Sequence, residues 1–176
     1  SHDKGKDSAG QAILNEKGEP NPKYWAFWLM SRYFRGKAVS AESSDWSTFS
    51  VHACLNKKGT VIFVANKGDY DADTGSFIPN QSAKTAQIQV KGLPKKLLKK
   101  LQIKEILRFG IDDPYVIQME KTGVEIDSGT FTYEFQPLSI YVFVLSGKGL
   151  WKEPKTYLHV NPERVDFGPH ETGSIE

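Results

Sequence analysis

Cysteine is nearly absent from this sequence, since Cys54 is the one thiol among 176 residues. A single thiol excludes an internal disulfide and any zinc site built on several cysteines. Low cysteine content suits the cytosol, and it also suits bacterial secreted proteins that rely on size for stability. The cysteine count therefore leaves the cellular compartment open.

An excess of charge of one sign is also missing, because 23 Lys and Arg residues face 21 Asp and Glu residues for a net charge of +2. Such a balance gives no electrostatic footprint for nucleic acid or for an anionic membrane surface. The apolar runs are too short to cross a membrane, and the chain is too short for a complete (β/α)₈ barrel. Hydrophobic residues still make up 39% of the sequence, which is enough for a sizeable core. We therefore expect a folded domain with neither nucleic acid nor a membrane as its partner.

One segment near the N-terminus has the signals of a helix. Asn21 is a suitable N-cap, Pro22 suits the first helical position, and residues 24–34 contain no helix breaker before Gly36. At about 100° per residue, the segment turns one broad apolar face in a single direction. That face comprises Trp25, Ala26, Phe27, Leu29, Met30, Tyr33 and Phe34.

Tyr24 and Trp28 fall on the remaining arc of this helix, next to its polar residues. A helix that rests only on a sheet would not need aromatic rings on its outward side. Three interpretations stay open: the two rings pack against a second domain, they are buried under a loop, or they form a platform on which a sugar stacks.

From residue 38 onward the sequence favours strands. Short runs of apolar and β-branched residues alternate with polar residues and are separated by Gly, Asn and Asp turn signals. Such evenly spaced short strands are typical of an antiparallel β-sandwich and not of alternating βα units. We therefore predict an all-β fold, an antiparallel sandwich of the immunoglobulin or jelly-roll type, with one N-terminal α-helix. The predicted strands are residues 49–55, 60–65, 85–90, 101–109, 115–120, 124–127, 130–135 and 139–145.

The same signals predict a division of the chain into five segments. Within the predicted sandwich, residues 94–106 are ambiguous between two structures. The spacing of their leucines suits a helix, but we favour a lysine-rich loop that enters a strand. The segments are an N-terminal extension (1–20), a helix that packs on the sandwich (21–36), the β-sandwich module (37–146), a linker (147–155), and the start of a next module or a C-terminal tail (156–176).

Motifs near both ends of the predicted sandwich resemble clan A glycoside hydrolases. Residues 18–34 begin Gly-Glu-Pro-Asn-Pro-Lys-Tyr-Trp-Ala and are similar to the stretch that starts the last barrel helix of those enzymes, before their chain enters a C-terminal β-sandwich. The paired runs 49–53 and 61–66, of which the second ends in asparagine, and the final hairpin at 131–143 resemble strands of that sandwich. The resemblance spans roughly residues 13–146.

The resemblance implies a non-catalytic role. The catalytic acid and the nucleophile of these hydrolases lie on barrel strands upstream of such a module, and none of their surrounding motifs occurs here. The chain is expected to be an accessory module of a secreted or cell-surface bacterial enzyme, with a plant or algal polysaccharide and its own catalytic barrel as partners. A purely structural sandwich that stabilises the barrel without binding glycan is the alternative. The stretch 165–168 resembles the opening of an immunoglobulin-like module, so a further module is expected to follow.

The acidic residues support the same expectation. Hydrolysis of a glycosidic bond needs two carboxylates about 5 to 10 Å apart across a cleft. One close acidic pair on a predicted strand, Glu125 and Asp127, shares a face of that strand. Exposure to solvent is the commoner meaning of such a pair.

Aromatic side chains in polar loops are the candidates for carbohydrate binding, because a pyranose stacks its apolar face on an indole or phenol ring. Trp46 lies among Glu, Ser and Asp residues and is the first candidate, followed by Tyr70 in a long loop and Trp151 in the linker. Trp28 and Tyr24 on the helix complete the set. The alternative for each ring is that it caps the edge of the core.

Alternating aspartates mark a candidate metal site. Asp69, Asp71 and Asp73 can turn three carboxylates toward one hard cation, and calcium accepts such oxygen ligands in a flexible geometry. An EF-hand is excluded, because no glutamate occupies the twelfth position of the loop. A looser calcium site and a solvated turn of Asp and Gly both stay open. The loop at about residues 68–82 is long for a hairpin connection, which favours a function.

Overall fold

A computed structural model describes residues 12–71, 73–78, 81–120 and 123–146. Strands dominate these ranges, and none of the helices found there is long and apolar enough to cross a membrane. In chain order the elements are α1 (Pro22–Tyr33), β1 (Lys37–Val39), β2 (Phe49–Asn56), β3 (Gly59–Asn66), β4 (Tyr70–Asp71), β5 (Ser76–Phe77), β6 (Lys84–Gln89), α2 (Lys95–Leu98), β7 (Gln102–Gly110), β8 (Ile117–Gln118), β9 (Thr130–Phe135) and β10 (Ser139–Ser146).

Six of these strands form one antiparallel sheet in the order β1-β2-β3-β10-β7-β8. β3 and β10 lie at its centre and are buried almost throughout, which explains their continuous apolar runs at 61–64 and 141–145. A second antiparallel sheet consists of β6 and β9, and β4 pairs with β5 in a two-residue ladder. The prediction of an antiparallel all-β fold with an N-terminal helix is confirmed.

Different elements cover the two faces of the six-stranded sheet. On one face, β6 and β9 enclose a core rich in aromatic rings, where Phe135 meets Tyr141 edge to face with ring centroids 5.1 Å apart. On the other face, α1 buries Leu29 and Tyr33 against the sheet, together with Cys54. Burial of a large apolar side chain contributes about 1.5 to 3 kcal/mol, so each cover stabilises the sheet. The molecule is a sandwich with a helix on its outer face.

Predicted and observed strands agree over most of the sheet. The hairpin predicted at 49–55 and 60–65 is observed as β2 and β3, and the runs 130–135 and 139–145 are observed as β9 and β10. Residues 115–120 shrink to the two-residue strand β8, which pairs only with the middle of β7.

Other stretches also differ from the prediction, and the short strands β1, β4 and β5 occur where no strand was predicted. Residues 124–127 form a single isolated bridge in place of a strand, although Val124 and Ile126 still pack against the core between the sheets. The one-turn helix α2 occurs where a lysine-rich loop was favoured. Its Leu97 and Leu98 are drawn onto the same core, which explains why this short segment coils before β7 begins.

The predicted inward face of α1 is confirmed for Trp25, Leu29, Tyr33 and Phe34 and is wrong for Phe27 and Met30. Trp28 packs against the sheet beside Leu29, and Tyr24 is half-buried, whereas Phe27 is 62% exposed and Met30 is 39% exposed. The helix contacts the sheet along positions three and four residues apart. Because aromatic rings occur on both arcs, the apolar pattern does not decide where the inward arc ends. The outward side of α1 carries two apolar side chains, Phe27 and Met30, together with the exposed Lys23, Ser31 and Arg32.

Asn66, at the end of β3, joins the two sheets. It is 2% exposed, and its Nδ2 donates a hydrogen bond of 3.1 Å to the carbonyl oxygen of Phe135, the last residue of β9. Its Oδ1 accepts a hydrogen bond of 3.0 Å from the backbone N–H of Gly68. One buried amide therefore holds both layers of the sandwich together and fixes the start of the following loop.

Removal of this amide should weaken the sandwich. Asn66→Ala leaves the buried Phe135 carbonyl without its donor, and we expect the free energy of unfolding to fall by about 1 to 3 kcal/mol in a urea titration. Gln87→Ala changes an exposed position of β6 and should stay within about 0.5 kcal/mol of the parent. An Asn66→Ala variant as stable as the parent would contradict the bridging role.

Two substitutions on α1 test its orientation. Leu29→Ala removes a side chain that is 0% exposed and should lower the free energy of unfolding by about 2 to 5 kcal/mol. Phe27→Ala removes a larger but outward ring and should change that free energy by no more than about 0.5 kcal/mol. Thermal unfolding of both variants decides the matter, and the reverse ranking would show that the helix sits the other way round.

Candidate functional site

Four loops leave the six-stranded sheet at one end. Phe49 at the start of β2, Asn66 at the end of β3, Ser139 at the start of β10 and Gly110 at the end of β7 stand opposite one another in consecutive strand pairs. They form one row across four neighbouring strands. We call this edge of the sheet, with the loops that leave it, the Asn66 end.

Trp46 precedes β2 at the Asn66 end and is 77% exposed. Asp45 fixes the turn that carries it, because its Oδ1 accepts hydrogen bonds from Ser47 Oγ at 2.6 Å and from Thr48 N at 3.1 Å. The carbonyl of Asp45 also accepts a hydrogen bond of 2.8 Å from Phe49 N. The bonds to the carboxylate lower the pKa of Asp45, with Ser47 as the largest cause. An exposed indole thus sits on a turn whose backbone is held in place.

Lys67 orients the Trp46 ring. Its Nζ donates a hydrogen bond to the Trp46 carbonyl oxygen and lies 5.5 Å from the centroid of the indole. Its backbone N–H donates a hydrogen bond of 2.8 Å to the Thr48 carbonyl. A cation over an exposed indole contributes about 0.5 to 1 kcal/mol. The ammonium group lies near one part of the indole, and the rest of the ring is exposed and accessible to a ligand.

A chain of polar contacts leads away from the Trp46 loop. Lys84 Nζ lies 3.5 Å from Thr48 Oγ1 and forms an ion pair of 2.6 Å with Asp69 Oδ1. Gln81 then clamps Asp69, since its Oε1 accepts a 2.5 Å hydrogen bond from the Asp69 N–H and its Nε2 donates a 2.8 Å bond to the Asp69 carbonyl. The same Nε2 lies 2.7 Å from the carbonyl of Ile78. These contacts tie the long loop to the loop that carries Trp46.

A cleft of about 370 Å³ opens beyond Gln81. Its charged floor is a bidentate pair, in which Arg108 Nη2 and Nε donate to the two carboxylate oxygens of Asp113 at 2.6 and 2.9 Å. The N–H of Gly110 adds a 2.7 Å bond to Asp113, and the carboxylate raises the pKa of the Arg108 guanidinium. Other residues that line the cleft are Ile78, Gln81, Ile111, Asp112, Gln136 and Ser139.

Two of the three candidate metal ligands, Asp69 and Asp71, have carboxylates bonded to different partners. Asp69 is paired with Lys84, while Asp71 Oδ1 accepts hydrogen bonds from the N–H groups of Asp73 at 2.9 Å and Thr74 at 3.4 Å. Hydrogen bonds from Thr74 and Asp73 lower the pKa of Asp71. Within the described ranges, no three His, Cys, Asp or Glu side chains form a group that would hold a metal ion. The calcium site stays a prediction, and the geometry here is that of an Asx turn.

Of the other candidate rings, those that the structure describes lie on α1 and not at the Asn66 end. Trp151 and the side chain of Tyr70 lie outside what the structure describes. Trp28 and Tyr24 belong to α1, where Trp28 packs on the core and the Arg32 guanidinium lies 5.1 Å from the centroid of its ring. Trp46 is thus the candidate whose exposure the structure supports.

The polar partners of Trp46 carry no signal in the sequence. Lys67 follows Trp46 by 21 residues, and Lys84 follows Asp69 by 15 residues. Such pairs are set by the folding of the sheet, which brings distant loops to the same edge. Arg108 and Asp113 differ, because they lie only five residues apart on either side of the turn after β7.

The fold has counterparts among solved glycoside hydrolases. Xyn30A, a family 30 subfamily 8 xylanase from Clostridium acetobutylicum, matches with a TM-score of 0.53 and 14% identity over 78% of this chain and 31% of that chain. CelM2, a bifunctional glucanase-xylanase from a metagenome library, matches with a TM-score of 0.54 and 12% identity over 73% of this chain and 23% of that chain. A family 44 xyloglucanase from Paenibacillus polymyxa has a TM-score of 0.47 and 26% identity over 62% and 18% of the two chains.

The likenesses to Xyn30A and CelM2, which have TM-scores above 0.5, show a shared fold. The chain spans less than a third of the length of each of the three enzymes. No protein-family model matches the chain, and no curated protein matches it in sequence. Glycoside hydrolases are therefore its structural neighbours, and the fold is what they have in common with it.

The hydrogen bonds to Asp45 predict a measurable titration. Because they stabilise the carboxylate, their contribution is complete above the ordinary aspartate pKa of 3.8 and is lost as the pH falls through the lower folded value. Ser47→Ala removes the largest cause and should raise the Asp45 pKa toward 3.8. Ser43→Ala is the control, since Ser43 Oγ accepts a bond from the backbone of Asp45 and does not touch its carboxylate. NMR titration of the Asp45 carboxyl carbon should separate the two variants, and equal midpoints would contradict this role of Ser47.

Proposed function

We propose that this chain is a non-catalytic accessory module of a polysaccharide-degrading glycoside hydrolase and that it binds polysaccharide at Trp46. The observation that carries the proposal is an indole that is 77% exposed on a turn fixed by Asp45 and oriented by Lys67. Single exposed apolar residues are common on protein surfaces. Trp46 differs from them because its carbonyl, its ring and its turn all have ordered partners.

The chemistry of a sugar matches this arrangement. A pyranose has an apolar face that stacks on an indole, while its hydroxyl groups need donors and acceptors close by. Lys67, Lys84 and Asp69 supply such polar groups beside Trp46. Because the ring is already positioned, binding loses little side-chain entropy at this residue.

The non-catalytic part of the proposal has its own support. Glu125 and Asp127, the close acidic pair predicted on a strand, are both exposed, whereas glycoside hydrolysis places two carboxylates across a cleft. Under this proposal the catalytic barrel belongs to the whole enzyme, together with a plant or algal substrate and a secreted or cell-surface location in a bacterium. The structural neighbours include a xylanase, a glucanase-xylanase and a xyloglucanase by name.

A purely structural role is the second candidate, and the outward side of α1 favours it. Phe27 is 62% exposed and Met30 is 39% exposed, and near them in sequence Ile13 and Leu14 are 45% and 46% exposed. Exposed apolar side chains on the outer side of a helix suit packing against another domain. In this alternative the sandwich stabilises the catalytic barrel and binds no glycan.

Affinity electrophoresis in gels that contain xylan, xyloglucan or mixed β-glucan tests the proposal. The parent chain should be retarded by at least one of these glycans, and Trp46→Ala should weaken binding about tenfold, which corresponds to the ~1.5 kcal/mol of an aromatic contact. Phe27→Ala removes an aromatic ring of similar exposure on α1 and should bind like the parent. The same gels with EDTA test the predicted calcium site.

Three results decide between the candidates. Retardation that depends on Trp46 supports the binding module. Absence of retardation with every glycan contradicts it and leaves the structural role. Retardation that Phe27→Ala abolishes and Trp46→Ala does not would contradict the placement of the site.

A further inference from the structure

We infer that the cleft beside Gln81 is a second sugar subsite, so that the Asn66 end binds an extended and uncharged glycan chain. This inference rests on the proposed function, because it takes Trp46 as the first subsite. It adds that the ligand is a chain of several sugar units and that this chain carries no charge.

The two subsites are separated by several sugar units. Trp46 lies just before β2, and the cleft is lined by Gly110 at the end of β7. β2, β3, β10 and β7 are consecutive neighbours in the sheet, and neighbouring strands lie about 4.8 Å apart, which gives roughly 14 Å from the first of these strands to the last. A single sugar cannot touch both places. A linear chain that runs across the strand ends can.

The lining of the cleft has the mixture of groups that a pyranose needs. Ile78 and Ile111 are 46% and 68% exposed and present apolar surface, while Gln136 and Asp112 are exposed polar residues at the same cleft. Its volume of about 370 Å³ falls in the range of about 300 to 1,000 Å³ that is usual for ligand sites. The backbone N–H of Gln136 is held by the hydroxyl of Tyr141 at 3.1 Å, so the wall that carries the amide is ordered.

Two of the cations at the Asn66 end, Arg108 and Lys84, are paired with carboxylates of the protein, and the third, Lys67, is bonded to a neutral carbonyl. Arg108 is bound bidentately by Asp113, whose side chain is 7% exposed, and Lys84 is paired with Asp69 at 2.6 Å. The ammonium group of Lys67 is bonded to the Trp46 carbonyl. A uronate carboxylate would have to compete with these partners and would also meet the exposed Asp112. The hydroxyl groups of an uncharged sugar meet no such penalty.

Calorimetry with uncharged xylan and β-glucan oligosaccharides of increasing length tests the inference. We expect the parent chain to bind a hexasaccharide about tenfold more tightly than the matching disaccharide. The double variant Asp112→Ala, Gln136→Ala should bind the hexasaccharide no better than the disaccharide and leave the disaccharide affinity unchanged. Gln89→Ala, at the far end of β6, is the matched control and should bind like the parent.

The outcomes separate this inference from the proposed function. If no oligosaccharide binds and polysaccharides also fail, the proposed function is wrong. If the double variant binds the hexasaccharide as tightly as the parent, or if affinity does not rise with length, Trp46 binding stands and the second subsite is refuted. A separate experiment compares the affinity for the uncharged hexasaccharide with the affinity for an oligogalacturonide of equal length, at low and at high salt. Tighter, salt-sensitive binding of the uronate would overturn the assignment to uncharged glycans.

Discussion

The buried amide of Asn66 is the contact on which the arrangement of this molecule depends. It ends the central strand β3, bonds the last residue of β9 in the opposite sheet, and holds the N–H of Gly68. Gly68 has a φ of 70°, and a Cβ there would come within 2.7 Å of Gln81 Oε1. The glycine therefore lets the chain turn directly under the Gln81 clamp. Since Lys67 and Asp69 flank this turn, the same amide that joins the two layers also sets where the polar partners of Trp46 stand.

The strand pattern of the sandwich was predictable from local sequence. Alternation and turn residues predicted the limits of β2, β3, β9 and β10 to within one residue. A strand with one buried face shows apolar residues at every second position, and a strand buried on both faces shows a continuous apolar run. The exposure of Trp46 was predictable for a similar reason, since an indole among Ser, Asp and Glu has no apolar neighbours along the chain to cover it. The side of α1 that faces the sheet was predictable only in part. Leu29 and Tyr33 face the sheet as their spacing indicates, whereas Trp28 and Phe27 are equally apolar and only their packing on the sheet distinguishes them.

Less of the candidate site could be predicted from residues that are close together in the sequence. Lys84 and Gln81 reach Asp69 from residues 15 and 12 positions away, and the row of strand ends that gathers these loops exists only once the sheet has formed. The aspartates of the long loop were visible in the sequence as possible metal ligands. In the fold, one of them bonds a lysine and another bonds the N–H groups of its own turn. Asp69 and Asp71 thus organise the loop in this structure, and the calcium site stays a prediction.

The central strands of the large sheet are covered on both faces, by α1 on one side and by β6 and β9 on the other. Most of the stability consequently comes from the two cores on either side of this sheet. The loops at the Asn66 end contribute few apolar contacts to either core. Apart from Asn66 and Gly68, substitutions in those loops should therefore carry little risk to folding, and under the proposed function they would change which glycan is bound. A scaffold of this kind is well suited to acquiring new specificities through successive small changes, and to directed evolution in the laboratory.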